Sequence, residues 1–445
     1  MGQVAESKEN KQVWYKYKVQ GVPLYLFVVF AALILGGVYT GSLGDDILST
    51  MAFLFVIGAI SYEFGKRLPI WNKYIGGGTM MAIMFPSLLV YLKVIPGFYI
   101  DSSVNFYDEI SFQTLYIVLL MAGGLLTVNR EMLIKTLVRC GPVFVVGIIC
   151  ASLFGVLGAL LTGTPIQEVI VFYVLPSLGG GNGAGAVPMS QIYERVTGVP
   201  KDQFYSLALA LLNMADTWAL IMGIMLMNLG NKFPSLTGDG TQLLKNASKE
   251  IKQEKKTEPA KVTVEDIAAG LLVAGGLWAL SSLFGRLILP KIGPVIIHPY
   301  AYFVVFAAMA NILNLIPENL AQGTRKLQKF ITGNLKAMCF AGVGITMIDF
   351  GMFISAISLK NLFITLMIVI GVTIGTAVAG YLVGFYPIDA AITAGLCCCN
   401  RGGSGDVVIL TATKRLELMG YASVLSRIGG AFVLALSSAA FALLL

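Results

Sequence analysis

The sequence predicts an all-α polytopic membrane protein with about eleven transmembrane helices and two re-entrant hairpins, arranged as an inverted five-helix repeat with one extra N-terminal helix. Three observations carry that prediction. Apolar runs of about 20 residues recur from end to end, each long enough to cross a bilayer core. Hydrophobic residues make up 56% of the chain and charged residues only 12%, against about 25% charged in a soluble domain. A glycine-rich signature occurs twice, at Gly180-Gly181-Asn182-Gly183 and, 222 residues on, at Gly402-Gly403-Ser404-Gly405.

The apolar runs place spans at approximately 22–42, 47–64, 76–95, 111–128, 141–162, 204–229, 264–288, 299–316, 332–356, 360–384 and 419–445. Ahead of them, residues 1–20 are polar and carry Lys8, Lys11, Lys16 and Lys18. No short apolar core with a small-residue cleavage site follows, so residues 1–20 read as a cytoplasmic tail rather than a cleaved signal peptide. Residues 21–45 hold the extra helix, 46–230 the first repeat, 231–263 a cytoplasmic linker and 264–445 the second repeat.

Loop charge sets the orientation. With the N-terminus cytoplasmic, cytoplasmic loops contain Lys66, Arg67 and Lys73, then Arg130, Lys135 and Arg139, then Arg325, Lys326 and Lys329. The opposite side shows Asp45, Asp46, Asp101, Asp108 and Glu109, with Arg286 and Lys291 against the trend. This is the positive-inside pattern, and it puts the C-terminus on the outer side. The net charge of +7 therefore reflects loop lysines and arginines, not a nucleic-acid surface. The linker lysines, from Lys232 and Lys245 to Lys261, read as a solvated connection between halves, with a regulatory or lipid-surface role as the other reading.

The halves resemble each other beyond the glycine signature. Phe64-Gly65 recurs as Phe284-Gly285, 220 residues on, and Ala122-Gly123 with Thr127 recurs as Ala341-Gly342 with Thr346, 219 residues on. Each copy holds five spans. An odd number forces the second copy to enter the membrane from the opposite side, which is the inverted repeat of many secondary transporters.

Two segments carry the chemistry, near 173–194 and near 386–415. Each is an apolar run broken midway by glycines and polar residues. Backbone at membrane depth must be satisfied internally, so such a break belongs in buried protein or beside a cavity, which predicts re-entrant hairpins whose tips meet. Half-helix N-termini at the tips point partial positive charge at an anion, and freed carbonyls can hold a cation. Close helix packing is the alternative reason for the glycines. Arg401 lies at the second tip and Arg427 inside the last span, where an arginine costs about 2.5–3.5 kcal/mol and needs a partner or water. Asp406, Asp216 and Asp349 are the acids able to pair with them. Read functionally, two guanidinium forks await carboxylates, which they bind bidentately.

A coupling cation fits the same segments. Sodium needs hard oxygen ligands, which Asp406, Ser404, Asn182, Asn400 and unwound carbonyls could supply, Cys397 through its carbonyl rather than its sulfur. Moving each negative charge inward against a negative-inside potential costs about 2.3 kcal/mol per 100 mV, so a polyanion needs cations to accumulate. The six cysteines have no CxxC spacing and His298 is the lone histidine, so neither zinc nor a disulfide is expected, and no cofactor. The run Cys397-Cys398-Cys399 reads as small-residue packing.

Gly179-Gly-Gly-Asn-Gly-Ala-Gly-Ala-Val-Pro188, Cys399-Asn-Arg-Gly-Gly-Ser-Gly-Asp406 and Ser426-Arg-Ile-Gly-Gly430 resemble the 2-hydroxycarboxylate transporter family, and within it the bacterial sodium–citrate symporters. The resemblance covers nearly the whole chain, including Gly65-Lys-Arg-Leu-Pro69 and Tyr386-Pro387. It implies a homodimer in the bacterial cytoplasmic (inner) membrane that imports citrate or a related 2-hydroxycarboxylate with sodium by alternating access. The implied citrate contacts are Asn182, Gly183, Arg401, Gly403, Ser404 and Arg427. The implied sodium sites lie around Gly179, Asn182, Cys397 and Asn400, and around Ser404 and Asp406. The family's exchangers from lactic acid bacteria lack an arginine and an acid at the positions of Arg401 and Asp406, which favours the sodium–citrate branch. Asp216 departs from the family's neutral polar residue and leaves an added ion or proton role open. A symporter for malate or another dicarboxylate is the nearest alternative. A membrane-embedded enzyme would need a nucleophile, metal cluster or positioned base, none of which the spans offer, and a passive channel does not explain an inverted repeat.

Overall fold

The structure, a computed structural model, describes residues 17–69, 71, 77–128, 130–238, 240, 243, 262–292 and 295–445. Nearly all are helical. The β-structure among them is two short antiparallel ladders, β1 (Lys18–Val19) with β2 (Val22–Pro23), and β3 (Lys291–Ile292) with β4 (Val295–Ile296). In chain order the first helices are α1 (Leu24–Thr40), α2 (Ile47–Arg67), α3 (Gly77–Tyr91), α4 (Gly97–Asp108), α5 (Phe112–Leu125) and α6 (Arg130–Thr162). The first broken segment supplies α7 (Ile166–Leu178) and, after a π turn at Asn182–Ala186, α8 (Val187–Thr197). Next come α9 (Lys201–Lys232), α10 (Val264–Leu283), α11 (Pro299–Ile312), α12 (Glu318–Lys329), α13 (Lys336–Met347), α14 (Phe350–Ser355) and α15 (Leu359–Leu382). The second broken segment supplies α16 (Pro387–Cys398) and α17 (Gly403–Ala412), and α18 (Met419–Leu444) ends the chain.

Six helices are long and apolar enough to cross a membrane: α2, Val138–Thr162 within α6, α9, Val264–Ile288, α15 and Leu416–Leu444. The shorter apolar helices α1, α3, α5 and α11 account for four of the five remaining expected spans, and α7 and α16 belong to the two broken segments. Three expectations change. The span expected at 332–356 is broken into a π turn (Phe330–Asn334), α13 and α14. At its second break Ile348 turns extended and its carbonyl accepts from Ser87 Oγ at 3.3 Å. The segments around Asp101 and around Arg325, expected as loops, are the helices α4 and α12. In α4 the residues Tyr99, Ser102, Ser103, Phe106 and Tyr107 are buried, a 3–4 spacing that makes one inward face despite low hydropathy. Finally, α6 begins at Arg130 rather than near 141, because its basic first turns continue an apolar helix through Pro142.

The described residues fall into two compact units, one from Met1–Tyr116 and Phe330–Phe350, the other from Ile117–Lys329 and Gly351–Leu445. Each unit draws on both halves of the sequence. In the first, α2, α3 and α13 approach so closely that a Cβ on Gly58 would sit 2.3 Å from the Ala337 carbonyl oxygen, and one on Gly344 2.2 Å from that of Ile83. Small residues permit this backbone contact, a common basis for helix association in lipid. The Tyr107 hydroxyl donates to Cys339 O at 2.5 Å and ties α4 to α13. Asp46 caps α2: its Oδ2 accepts from Ser49 Oγ at 2.5 Å and its Oδ1 from Ser49 N and Leu48 N at 3.1 and 3.0 Å. These bonds hold its carboxyl below the ordinary carboxylate range.

In the second unit α6 and α15 form the longest interface, with Gly371 against the Cys150 carbonyl of α6. A buried ion pair then joins the ends of the second broken segment. Asp389, fully buried at the start of α16, accepts from Arg415 Nε at 2.5 Å beyond the end of α17. The segment after α9 closes over the pair, with Gly238 N donating to Asp389 Oδ2 at 2.8 Å and Leu243 O accepting from Tyr386 N at 2.9 Å. The first residues of the expected linker are thus docked on the start of the second broken segment, while Lys245, Lys249, Lys252, Lys255, Lys256 and Lys261 lie outside the described residues. Removing one member of a buried ion pair costs about 3–5 kcal/mol, because the other charge is left unpaired. Asp389→Ala should therefore markedly lower the unfolding temperature of the detergent-solubilised protein, and adding Arg415→Leu should recover much of the loss. An Asp389→Ala protein as stable as the parent would show that the pair contributes little.

Candidate functional site

The site forms where the two broken segments meet. Between α7 and the following π turn lie Gly179, Gly180 and Gly181. Between α16 and α17 lie Cys399, Asn400, Arg401 and Gly402. Gly181 (φ 99°, ψ −171°) and Gly402 (φ 88°, ψ −162°) share one conformation that side-chain-bearing residues rarely adopt, and each opens the helix that follows it. The sequence offset pairs Gly180 with Gly402, whereas the backbone pairs Gly181 with Gly402. The Gly181 carbonyl accepts from Gly185 N and Ala186 N at 3.1 and 3.0 Å, and the Gly402 carbonyl from Gly405 N and Asp406 N at 2.6 and 3.2 Å. Both second arms therefore present their first N–H groups, and the positive end of the helix dipole, at the tips.

The tips touch backbone to backbone. A Cβ on Gly181 would lie 2.5 Å from both Arg401 C and Gly402 N. One on Gly180 would lie 2.6 Å from the Ser426 carbonyl, so α18 passes against the same point. One on Gly430 of α18 would lie 2.7 Å from Gly179 O.

Around this contact the polar side chains are arranged as follows. Asn182 Oδ1 accepts from the Tyr205 hydroxyl of α9 at 2.5 Å, while its buried Nδ2 has no hydrogen-bond partner among the described residues. Asn400 is a local clamp: its Oδ1 accepts from Gly402 N at 2.7 Å and its Nδ2 donates to Asp406 Oδ1 at 2.8 Å. The other oxygen of Asp406, on a fully buried residue, accepts no hydrogen bond among the described residues. An unsatisfied buried polar group costs about 1–3 kcal/mol, so such atoms mark places where a ligand is welcome. The amide suits an anion and the carboxylate oxygen suits a cation.

Arg401 differs from the expectation of a free fork. Its Nε donates to Asp216 Oδ2 at 2.7 Å, its Nη2 pairs with the same oxygen, and its main-chain N donates to Asp216 Oδ1 at 3.4 Å. Asp406, five residues along the chain from Arg401, instead serves Asn400. Arg427 is exposed, and its guanidinium makes one bond among the described residues, Nη1 to Gly124 O at 3.1 Å. It lies close enough to Asp406 for their charges to interact.

Of the expected contact residues, Gly179, Asn182, Asn400, Arg401, Asp406 and Arg427 converge on the tips and the adjoining turn of α18. Gly183 follows Asn182 as the second residue of the π turn, Gly403 opens α17, and Cys397 is buried in the last turn of α16. The side chain of Ser404 lies outside the described residues. Sequence reasoning missed Tyr205 and the Asp389–Arg415 pair. The pair left a signal, since two charges inside apolar runs flank the second broken segment. Tyr205 left none.

A family model describing 2-hydroxycarboxylate transporters matches residues 19–439. The chain belongs to this family. It is 38% identical over 440 residues to a citrate/sodium symporter of Salmonella typhimurium, covering 99% of this chain and 98% of the relative. It is 39% identical over 429 residues to a citrate/sodium symporter of Klebsiella pneumoniae, covering 96% of each. A Na(+)-malate symporter of Bacillus subtilis is 29% identical over 429 residues, covering 96% of this chain and 93% of that one. Family membership, with the apolar helices, makes the protein a multi-pass membrane transporter rather than an enzyme.

Proposed function

We propose that the protein is a sodium-coupled symporter that imports citrate by alternating access. One observation carries the choice of citrate: citrate/sodium symporters match this chain at 38–39% identity, against 29% for the malate symporter. The geometry agrees with a polyanion and a cation bound side by side. Arg401, Arg427, Asn182 and the amides of Gly183, Gly403 and Ser404 receive citrate. Sodium binds around Gly179, Asn182, Cys397 and Asn400, and around Ser404 and Asp406. Coupling has an energetic reason, since importing each negative charge costs about 2.3 kcal/mol per 100 mV and sodium cancels it. The two broken segments act as re-entrant hairpins of an inverted repeat, 46–230 and 264–445. The protein works as a homodimer in the bacterial cytoplasmic membrane, its N-terminus cytoplasmic and its C-terminus outside.

Purified protein in proteoliposomes should take up labelled citrate under an inward sodium gradient and fail to accumulate it without one. Sodium-driven uptake of malate with none of citrate would overturn the substrate. Citrate accumulation indifferent to sodium would overturn the coupling. Asp406→Asn sharpens the second point, because it keeps the size and one oxygen but removes the charge offered to sodium. The half-saturating sodium concentration should rise about tenfold or more, the effect of losing about 1.4 kcal/mol. Citrate affinity in saturating sodium should change less. An unchanged sodium dependence would remove Asp406 from the sodium site.

A further inference from the structure

Three arginines of the second compact unit commit their guanidinium nitrogens to the protein to different extents. Arg415 commits all three: Nε to Asp389 Oδ1 at 2.5 Å, Nη1 to Thr413 O at 2.6 Å and Nη2 to Thr237 Oγ1 at 2.5 Å. That is an arginine used for structure, with every guanidinium nitrogen engaged and its side chain 8% exposed. Arg427 commits one nitrogen, Nη1, to a backbone carbonyl. Arg401 stands between them. Its Nε and Nη2 both go to Asp216, its Nη1 has no hydrogen-bond partner among the described residues, and its side chain keeps 19% of its exposure.

A guanidinium is planar and offers carboxylates two separate forks, the Nε–Nη2 edge and the Nη1–Nη2 end. Asp216 occupies only the edge. Its Oδ1 also accepts from the main-chain N of Arg401, so one carboxylate from α9 holds both the side chain and the backbone of the tip residue. The Asp216 side chain is 7% exposed, so little water competes for the pair.

We infer that Asp216 is a positioning residue for substrate: it clamps the Nε–Nη2 edge of Arg401 and so presents the Nη1–Nη2 end to a substrate carboxylate. This rests on the proposal that an anionic substrate binds at the tips. The incoming carboxylate need not displace Asp216, because the two acids use different forks of one guanidinium. Asp216 also cancels the charge of Arg401 while no substrate is bound, which lowers the cost of keeping an arginine at membrane depth. A buried pair of purely structural purpose would resemble Arg415, with no nitrogen left over.

The test is a set of initial-rate uptake curves in saturating sodium for Asp216→Ala and Asp216→Glu, each in the parent and in an Arg401→Lys background. Lysine has no edge to clamp, so Asp216 has nothing to orient there. In the parent, Asp216→Ala should raise the citrate KM about tenfold or more, as expected when one charged hydrogen bond is lost. The maximal rate should stay within about twofold, because transport of bound substrate is not what Asp216 serves. Asp216→Glu should restore part of the KM. In the Arg401→Lys background, Asp216→Ala should change KM by less than about threefold, since residues that act through one another are not additive. A parental KM together with reduced thermal stability in detergent would make the pair structural only and overturn the inference, as would equal losses in both backgrounds. Should Asp216→Ala fail to reach the membrane, Asp216→Asn keeps the volume and one acceptor oxygen and carries the same comparison. If the parent takes up malate and not citrate, the substrate proposal falls, and the same cycle read with malate still decides the role of Asp216.

Discussion

Arg427→Ala should abolish citrate uptake, and Arg427→Lys should insert and fold but bind citrate about tenfold to a hundredfold more weakly, the range for one charged hydrogen bond of about 1.5–3 kcal/mol. Among the described residues Arg427 makes no ion pair, and its single bond is to the Gly124 carbonyl, so most of its donor capacity is open. An alanine removes every donor and the positive charge. A lysine keeps the charge as a point on a flexible stem and cannot hold two carboxylate oxygens in a plane. Arg286 and Lys336 serve as controls. Arg286 lies in the π turn after α10, and Lys336 sits 5.9 Å over the Phe340 ring at the start of α13, so neither belongs to the tips. Uptake against citrate concentration, with membrane levels checked by blot, makes the measurement. Near-normal uptake by Arg427→Ala would leave this arginine with a supporting role and remove it from the anion site.

Gly181→Ala should be as damaging by a different route. Alanine at φ 99°, ψ −171°, a region essentially confined to glycine, pays a backbone penalty of about 1–3 kcal/mol. Its Cβ would also lie 2.5 Å from Arg401 C and Gly402 N, main-chain atoms of the opposite tip that cannot swing aside. The tips must separate, and Arg401 moves with them. Transport should be lost even if the protein still reaches the membrane. Two controls divide strain from clash. Gly198→Ala (φ 73°) meets nothing within 4 Å, so it should show only the backbone penalty and keep transport. Gly276→Ala on α10 also meets nothing within 4 Å and has ordinary helical backbone, so it should be neutral or stabilise by about 1 kcal/mol. The readouts are uptake and unfolding temperature in detergent for all three. A fully active Gly181→Ala protein would refute the close contact between the tips.

Much of the site was legible because its chemistry contradicts its surroundings. Glycines and amides in the middle of apolar runs mark both breaks, since unsatisfied backbone is tolerated at membrane depth only where protein or a cavity satisfies it. Arg401 and Arg427 stand out for the same reason. The helices that escaped notice, α4 and α12, have the opposite character. Their residues are polar enough to read as loops, and only their inward faces show helical order. In α12 that face is Ala321, Gly323 and Thr324, with Gly323 and Thr324 lying against Asp266 and Gly270 of α10.

By itself the sequence determined the class of the protein, the positions of the two breaks and the set of charges near them. These follow from composition and local order, which act over one helix length. Only the tertiary structure decided which charge answers which. Arg401 has Asp406 five residues away and yet pairs with Asp216, 185 residues back. Arg415 pairs with Asp389 and is completed by Thr237, 178 residues away. Through-space partners are set by how helices cross, and a carboxylate facing inward from α9 outweighs one nearer in sequence that already serves Asn400. The same holds for the glycines: the positive φ of Gly181 and Gly402 is a conformation that glycine permits locally, whereas the 2.5 Å approach that leaves no room for a Cβ on Gly181 exists only once the second tip has arrived.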